Sequence, residues 1–257
     1  MRSSLISVPA TQPPSVRLAR TGILACLLDS MQSDRQQCLS YRMKEEILKL
    51  AVLVSGGGTT LQNLIDEIGA RRLNAQISLV IASRPQIPAL GRAADAKLMN
   101  FIVQPRDFPT VADFSKKVFD LCDDAGVDLV CLAGWLSLLE IPAKYENRVM
   151  NIHPALLPSP FGGKGMFGAR VHEAVLAHGC KISGCTVHFV DNDYDAGPII
   201  IQHCCPVEEN DTAQTLASRV ASLERDAYPV AIRLFAAGRL SVRGRRVAVA
   251  PGLPTAP

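Results

Sequence analysis

The chain has 257 residues, 48% of them hydrophobic and 20% charged, which suits one globular catalytic body with a substantial core. The longest apolar runs, residues 129–133 and 187–190, are far too short for a transmembrane helix, so no membrane association is expected. The formal net charge of +3 comes from residues 1–42, with five Arg against two Asp; the remaining 22 basic and 22 acidic residues cancel, and nothing in the body calls for nucleic acid.

Residues 1–42 are Arg-containing and acid-poor up to Asp29, and they carry Pro9, Pro13 and Pro14. Two readings stand: an organelle-type targeting segment, or an extension from a start codon chosen too early, with Met43 the preferred start. From there strand and helix patterns alternate. Strands are expected at 50–54, 77–82, 101–103 and 128–133, with helices at 60–68, 90–98 and 111–125 between them. Nearly all-apolar strands alternating with helices predict a parallel sheet covered on both faces, with ligands beyond the carboxyl ends of the strands.

Further on, a short strand at 148–152 is followed by a Gly- and Pro-rich loop at 158–168 and a helix at 169–177. Strands at 185–190 and 198–207 are joined by the acidic turn 191–197. A helix at 211–226, capped by Asp211-Thr212, precedes a closing segment at 229–237. Three units are expected: an extension at 1–47, a catalytic domain at 48–242 and a tail at 243–257. Eight cysteines form no C-x-x-C pair, which implies a reducing compartment and no zinc site.

Three constellations carry chemistry. Ser55-Gly56-Gly57-Gly58-Thr59-Thr60 follows the first strand and opens the first helix, so backbone N–H groups and the helix dipole converge where a phosphate fits. A tight turn alone would use the same glycines, and the spacing is neither a P-loop nor a dinucleotide fingerprint. Asn151 and His153 lie two apart on a strand that Pro154 ends, so both project to one side. Asp195 follows in the acidic turn, which has too few alternating oxygens for calcium. A neutral amide donor, an imidazole and a carboxylate can stabilise an oxyanion and move a proton, the requirements of acyl transfer without metal. Singly, Asn151 as a turn cap and His153 as a buried histidine would be ordinary.

The run Asn151 to Pro158, the Asp195-x-Gly197-Pro198 turn, Thr186-Val187-His188-Phe189 and the Ser55 to Leu61 loop together resemble the phosphoribosylglycinamide formyltransferases, folate-dependent enzymes of purine synthesis. The glycine-rich first loop together with Glu224-x-x-Ala227-Tyr228-Pro229 is the more particular part of that likeness, which runs from about residue 50 to 240. It implies a single doubly wound, mostly parallel α/β sheet of Rossmann-like formyltransferase type with helices on both faces. It also implies transfer of the formyl group of 10-formyltetrahydrofolate to the amine of glycinamide ribonucleotide, with no metal.

By the same resemblance Asn151, His153 and Asp195 are catalytic, and His188 lines the cleft. Gly56, Gly57, Gly58, Thr59, Thr60 and Glu224 hold the ribonucleotide, while Leu136, Ser137, Leu138, Leu139, Asn151 and Asp191 hold the folate. Thr60 stands where Asn is common in the family and Ser137 where a basic residue is common. The resemblance implies a cytoplasmic monomer or homodimer working on small molecules, organelle targeting by residues 1–42 remaining open. A formyltetrahydrofolate deformylase and a noncatalytic nucleotide-binding module are the rivals. A methionyl-tRNA formyltransferase would need a basic RNA-binding face and a further domain.

Overall fold

A computed structural model of the chain describes residues 47–251; the expected extension at 1–47 lies outside the described residues except for Ile47. Nine strands form one sheet in the order β3-β2-β1-β4-β5-β6-β7-β9-β8. The strands are β1 (Leu48–Val54), β2 (Ala75–Ala82), β3 (Asn100–Ile102), β4 (Leu129–Leu132), β5 (Val149–His153), β6 (Ile182–Phe189), β7 (Ile199–Pro206), β8 (Leu240–Arg243) and β9 (Arg246–Val249). The helices are α1 (Thr59–Gly69), α2 (Pro88–Asp95), α3 (Val111–Asp124), α4 (Ala169–Ala177) and α5 (Ala213–Ala236).

Pairing is parallel from β3 through β5. It turns antiparallel at β5–β6 and β6–β7; the short turn at 190–198 returns β7 beside β6 without a crossover helix, whereas β5 and β6 are joined through the helix Ala169–Ala177. The period-2 alternation of β1 divides the core. Leu50, Val52 and Val54 face α1, α2, α4 and α5, whereas Ala51 and Leu53 face α3 and the segment around Trp135 and Tyr145. Burial on both faces explains why β1 reads as an unbroken apolar run. No helix of the described residues is long and apolar enough to cross a membrane.

Two expectations are corrected. The predicted helix at 211–226 and the closing segment at 229–237 are one 24-residue helix, α5, with Pro229 inside it. The predicted tail at 243–257 contains β9, which forms a hairpin with β8 and pairs in parallel with β7 at Ile199, so the sheet continues past residue 242. A four-residue strand bounded by Gly244 offers too little alternation to read from sequence.

Ser55 gathers the carboxyl ends of the parallel strands. Its N–H donates to Gly134 O at 3.1 Å, and its hydroxyl oxygen accepts from the Ser83 hydroxyl at 2.7 Å and from Leu136 N at 3.1 Å. The ends of β1, β2 and β4 are thereby held together where a doubly wound sheet binds its ligands.

Candidate active site

A cleft of about 620 Å³ opens at these strand ends. Its walls include Thr59 and Thr60 of α1, Asn151 and His153 of β5, Asp195, and Glu224 of α5. Thr59 and Thr60, which follow the glycines, and the trio expected from sequence therefore share one cavity, whereas Gly56, Gly57 and Gly58 are not among its walls.

Antiparallel pairing builds the trio. Asn151 stands opposite His188 and His153 opposite Thr186, which puts all four side chains on one face of the β5–β6 pair. His188 is 1% exposed, and its Nδ1 lies 2.8 Å from the Phe189 carbonyl, which obliges Nδ1 to be the protonated nitrogen. Nε2 faces both Asn151 Nδ2, at 3.2 Å, and Asp195 Oδ1, at 3.6 Å. The Asn151 amide donates to Asp195 Oδ1, also at 3.2 Å. That is long for a charge-assisted bond, so the amide is oriented yet easily re-aimed.

Asp195 Oδ2 lies 3.4 Å from His153 Nδ1 and accepts from Gly163 N at 2.8 Å. The backbone of Asp195 is left-handed at φ 53°, a conformation Asp tolerates better than most residues. Gly197 follows because a Cβ there would collide with the Phe189 carbonyl. Thr186 fixes the other side: its buried hydroxyl donates to Ala155 O at 2.7 Å and accepts from Leu157 N at 3.0 Å, pinning the chain just beyond His153.

His153 is 4% exposed and contacts acceptors at both ring nitrogens, since Nε2 sits 2.7 Å from the Phe161 carbonyl. Burial pulls its pKa below the ordinary histidine range, opposed by the Asp195 charge and the Phe161 carbonyl. Burial would raise the Asp195 carboxyl, but the His188 hydrogen bond, the His153 charge and Gly163 N–H outweigh it and hold the group low. Asp195 thus stays ionised beside an imidazole that can gain or lose a proton. Among the described residues no group of three or more His, Cys, Asp or Glu could hold a metal ion.

Glu224 is half-buried on the opposite wall, and desolvation pushes its pKa up to about 7 despite the adjacent Arg225. The start of α1 has Gly58 as its N-cap, no side-chain cap and no acid in the first turn, which leaves the positive end of the helix open.

The residues expected to hold folate are spread over three surfaces. Leu136 and Asn151 line the cleft. Leu138 lines a separate groove of about 730 Å³ against α3, Leu139 is 3% exposed within the α3-side core, and Asp191 faces a third hollow beside Pro198. Ser137 is half-buried between them.

Two residues gave no signal in the sequence. His172 of α4 is 4% exposed, lines the cleft and has no partner for Nδ1; burial, and then the His153 charge, lowers its pKa. Arg92 of α2 grips the glycine loop from behind. Both lie on helices whose register against the loops is set only by tertiary packing.

The sequence profile described as formyl transferase matches residues 48–232, a span that holds the whole trio, the glycine loop and Glu224. A trifunctional purine biosynthetic protein adenosine-3 of Gallus gallus is 35% identical over 222 residues, 84% of this chain but 22% of that protein. The chloroplastic phosphoribosylglycinamide formyltransferase of Arabidopsis thaliana is 37% identical over 184 residues, covering 70% of this chain and 62% of the relative. The chain therefore spans about a fifth of the length of the trifunctional relative. Among solved structures, glycinamide ribonucleotide transformylase 1 from Symbiobacterium toebii superposes with a TM-score of 0.74 at 40% identity, covering 80% of this chain and 95% of that one. With its cleft intact inside the matched span, the chain belongs to the formyl transferase family.

Proposed function

We propose that the protein transfers the formyl group of 10-formyltetrahydrofolate to the amine of glycinamide ribonucleotide, a step of purine synthesis. The supporting observation is that Thr59 and Thr60, at a helix start open to an anion, and the Asn151–His153–Asp195 trio line one cleft.

In this reading the loop 56–60 receives the phosphate, and Glu224 meets the ribose or the glycinamide amine. The amine nitrogen attacks the formyl carbon, a C–N bond forms, and negative charge gathers on the formyl oxygen. Asn151 turns an amide hydrogen, and protonated His153 an N–H, toward that oxygen. For His153 this means that the oxygen takes the place now held by the Phe161 carbonyl at Nε2. Asp195 keeps the imidazole charged and passes the proton lost by the amine, through water, to the folate nitrogen as its bond to carbon breaks. The donor would enter over Leu136 and Asn151.

The test is the absorbance change on release of the deformylated folate, with and without glycinamide ribonucleotide, on wild type and H153A. Release that requires the ribonucleotide and collapses in the variant supports the proposal. Release without the ribonucleotide means a deformylase, and no release at all favours a binding module.

A further inference from the structure

We propose that Arg92 sets the anion-binding orientation of the glycine loop and so acts as a positioning residue for the acceptor's phosphate. This rests on the reading that the loop receives that phosphate.

The argument begins with peptide geometry. Arg92 Nε donates to the Gly57 carbonyl at 3.0 Å, and Arg92 Nη1 donates to Gln62 Oε1 at 3.2 Å, one turn into α1. One residue earlier in the loop, the Gly56 carbonyl accepts from Ala89 N at 3.3 Å. Among the described residues the only cis peptide is Leu157–Pro158, so the loop peptides are trans. In a trans peptide the C=O and N–H point in opposite directions. Anchoring the Gly56 and Gly57 carbonyls on α2 therefore turns the N–H groups of Gly57 and Gly58 away from α2.

Among the described residues these two N–H groups, with those of Thr59 and Thr60, have no protein acceptor. They belong to the turn whose Thr59 and Thr60 side chains line the cleft. Successive N–H groups turned to one side form a concavity that takes an anion.

Packing enforces the same arrangement. Gly58 has φ 73°, and a Cβ there would come within 2.7 Å of Ala89 Cβ and 3.3 Å of Arg92 Cδ. The loop thus lies directly on α2, with glycine required at the contact. Arg92 adds a fixed positive charge behind the loop, and its two-point grip on Gly57 and Gln62 is something a lysine ammonium cannot reproduce.

The test compares kcat/KM for glycinamide ribonucleotide with that for its dephosphorylated ribonucleoside, in wild type, R92K and R92A, with thermal midpoints recorded alongside. Wild type should prefer the ribonucleotide. R92A should lose about tenfold or more of that preference, through KM for the ribonucleotide, with kcat at saturation held. R92K, which keeps the charge but not the grip, should resemble R92A. An R92K that matches wild type would assign the effect to charge and overturn the orientation argument, as would an R92A that loses both acceptors equally. Should R92A fail to fold, Q62L removes the outer anchor alone and should give a smaller loss of the same kind; an unchanged preference there counts against the proposal. A wild type indifferent to the phosphate would instead refute the phosphate reading of the loop, whatever the variants do.

Discussion

The side-chain amide of Asn63 donates a 3.0 Å hydrogen bond to the backbone carbonyl of Arg225, which is the one carbonyl of α5 that Pro229 leaves without its helical N–H. Pro229 lies four residues after Arg225, so the ladder lacks one rung there. Asn63 on α1 supplies the missing donor, and in doing so ties the helix that opens at the glycine loop to the helix that carries Glu224. Tyr228 adds a second tie, directing its hydroxyl toward Leu132 O of β4 at 3.1 Å and Met150 O of β5 at 2.9 Å.

A double-mutant cycle tests that relationship. N63L should destabilise the protein by about 1 kcal/mol, because it strips the Arg225 carbonyl of its donor. In a P229A background, which restores an N–H to the ladder, N63L should cost distinctly less. Urea denaturation of the four proteins gives the coupling directly. Equal costs in both backgrounds would mean that the Asn63 bond contributes nothing beyond packing.

Glu224 makes stability depend on pH. Its folded pKa, about 7, lies above the ordinary carboxyl value of 4.5, so the folded state binds the proton more tightly than the unfolded chain. The stabilisation is complete below about pH 4.5 and is lost as pH rises through 7. E224Q, which cannot ionise, should therefore match wild type near pH 5 and exceed it by about 2 kcal/mol near pH 8.5. Denaturation curves at the two pH values check this, and a constant difference would place the Glu224 carboxyl in solvent.

For Asn151, the proposed oxyanion donor, N151A should lower kcat by roughly two orders of magnitude with little change in acceptor binding. Steady-state kinetics with both substrates varied will separate the two. A kcat within a few-fold of wild type would remove Asn151 from the chemistry.

Asp195 is the charge that opposes burial at His153. In D195N that support is gone, so the imidazole should lose its proton at lower pH than in wild type. The falling alkaline side of the His153-dependent rate should move to lower pH, and activity at pH 7.5 should drop more than activity at pH 6. A pH–rate profile displaced in the opposite direction would show that Asp195 does not hold the proton on His153.

Much of this molecule is written in local pattern. Apolar runs such as residues 50–54 and 128–133 specify strands buried on both faces, and the i, i+2 spacing of Asn151 and His153 ahead of Pro154 puts both side chains on one side of a strand end. The glycines before Thr59 announce an open helix start, since three residues without side chains just after a strand leave backbone N–H groups as the available chemistry. The helix at Ala169–Ala177 was legible to the residue, because the glycines ahead of it and the apolar spacing within it agree.

How distant segments complete one another is a matter of packing. Pro229 reads locally as a break, yet α5 runs through it, and Asn63, 162 positions from Arg225 in the chain, supplies the missing donor. The orphan Nδ1 of His172, the Arg92 grip on Gly57, the placing of Leu136 and Leu138 on different surfaces and the burial of Leu139 in the core follow from how α2, α3 and α4 dock on the sheet. Local pattern specifies which backbone and side-chain groups exist and which way each short element faces. Only packing, in which a buried polar group is stable when some remote residue can satisfy it, determined which of those groups meet.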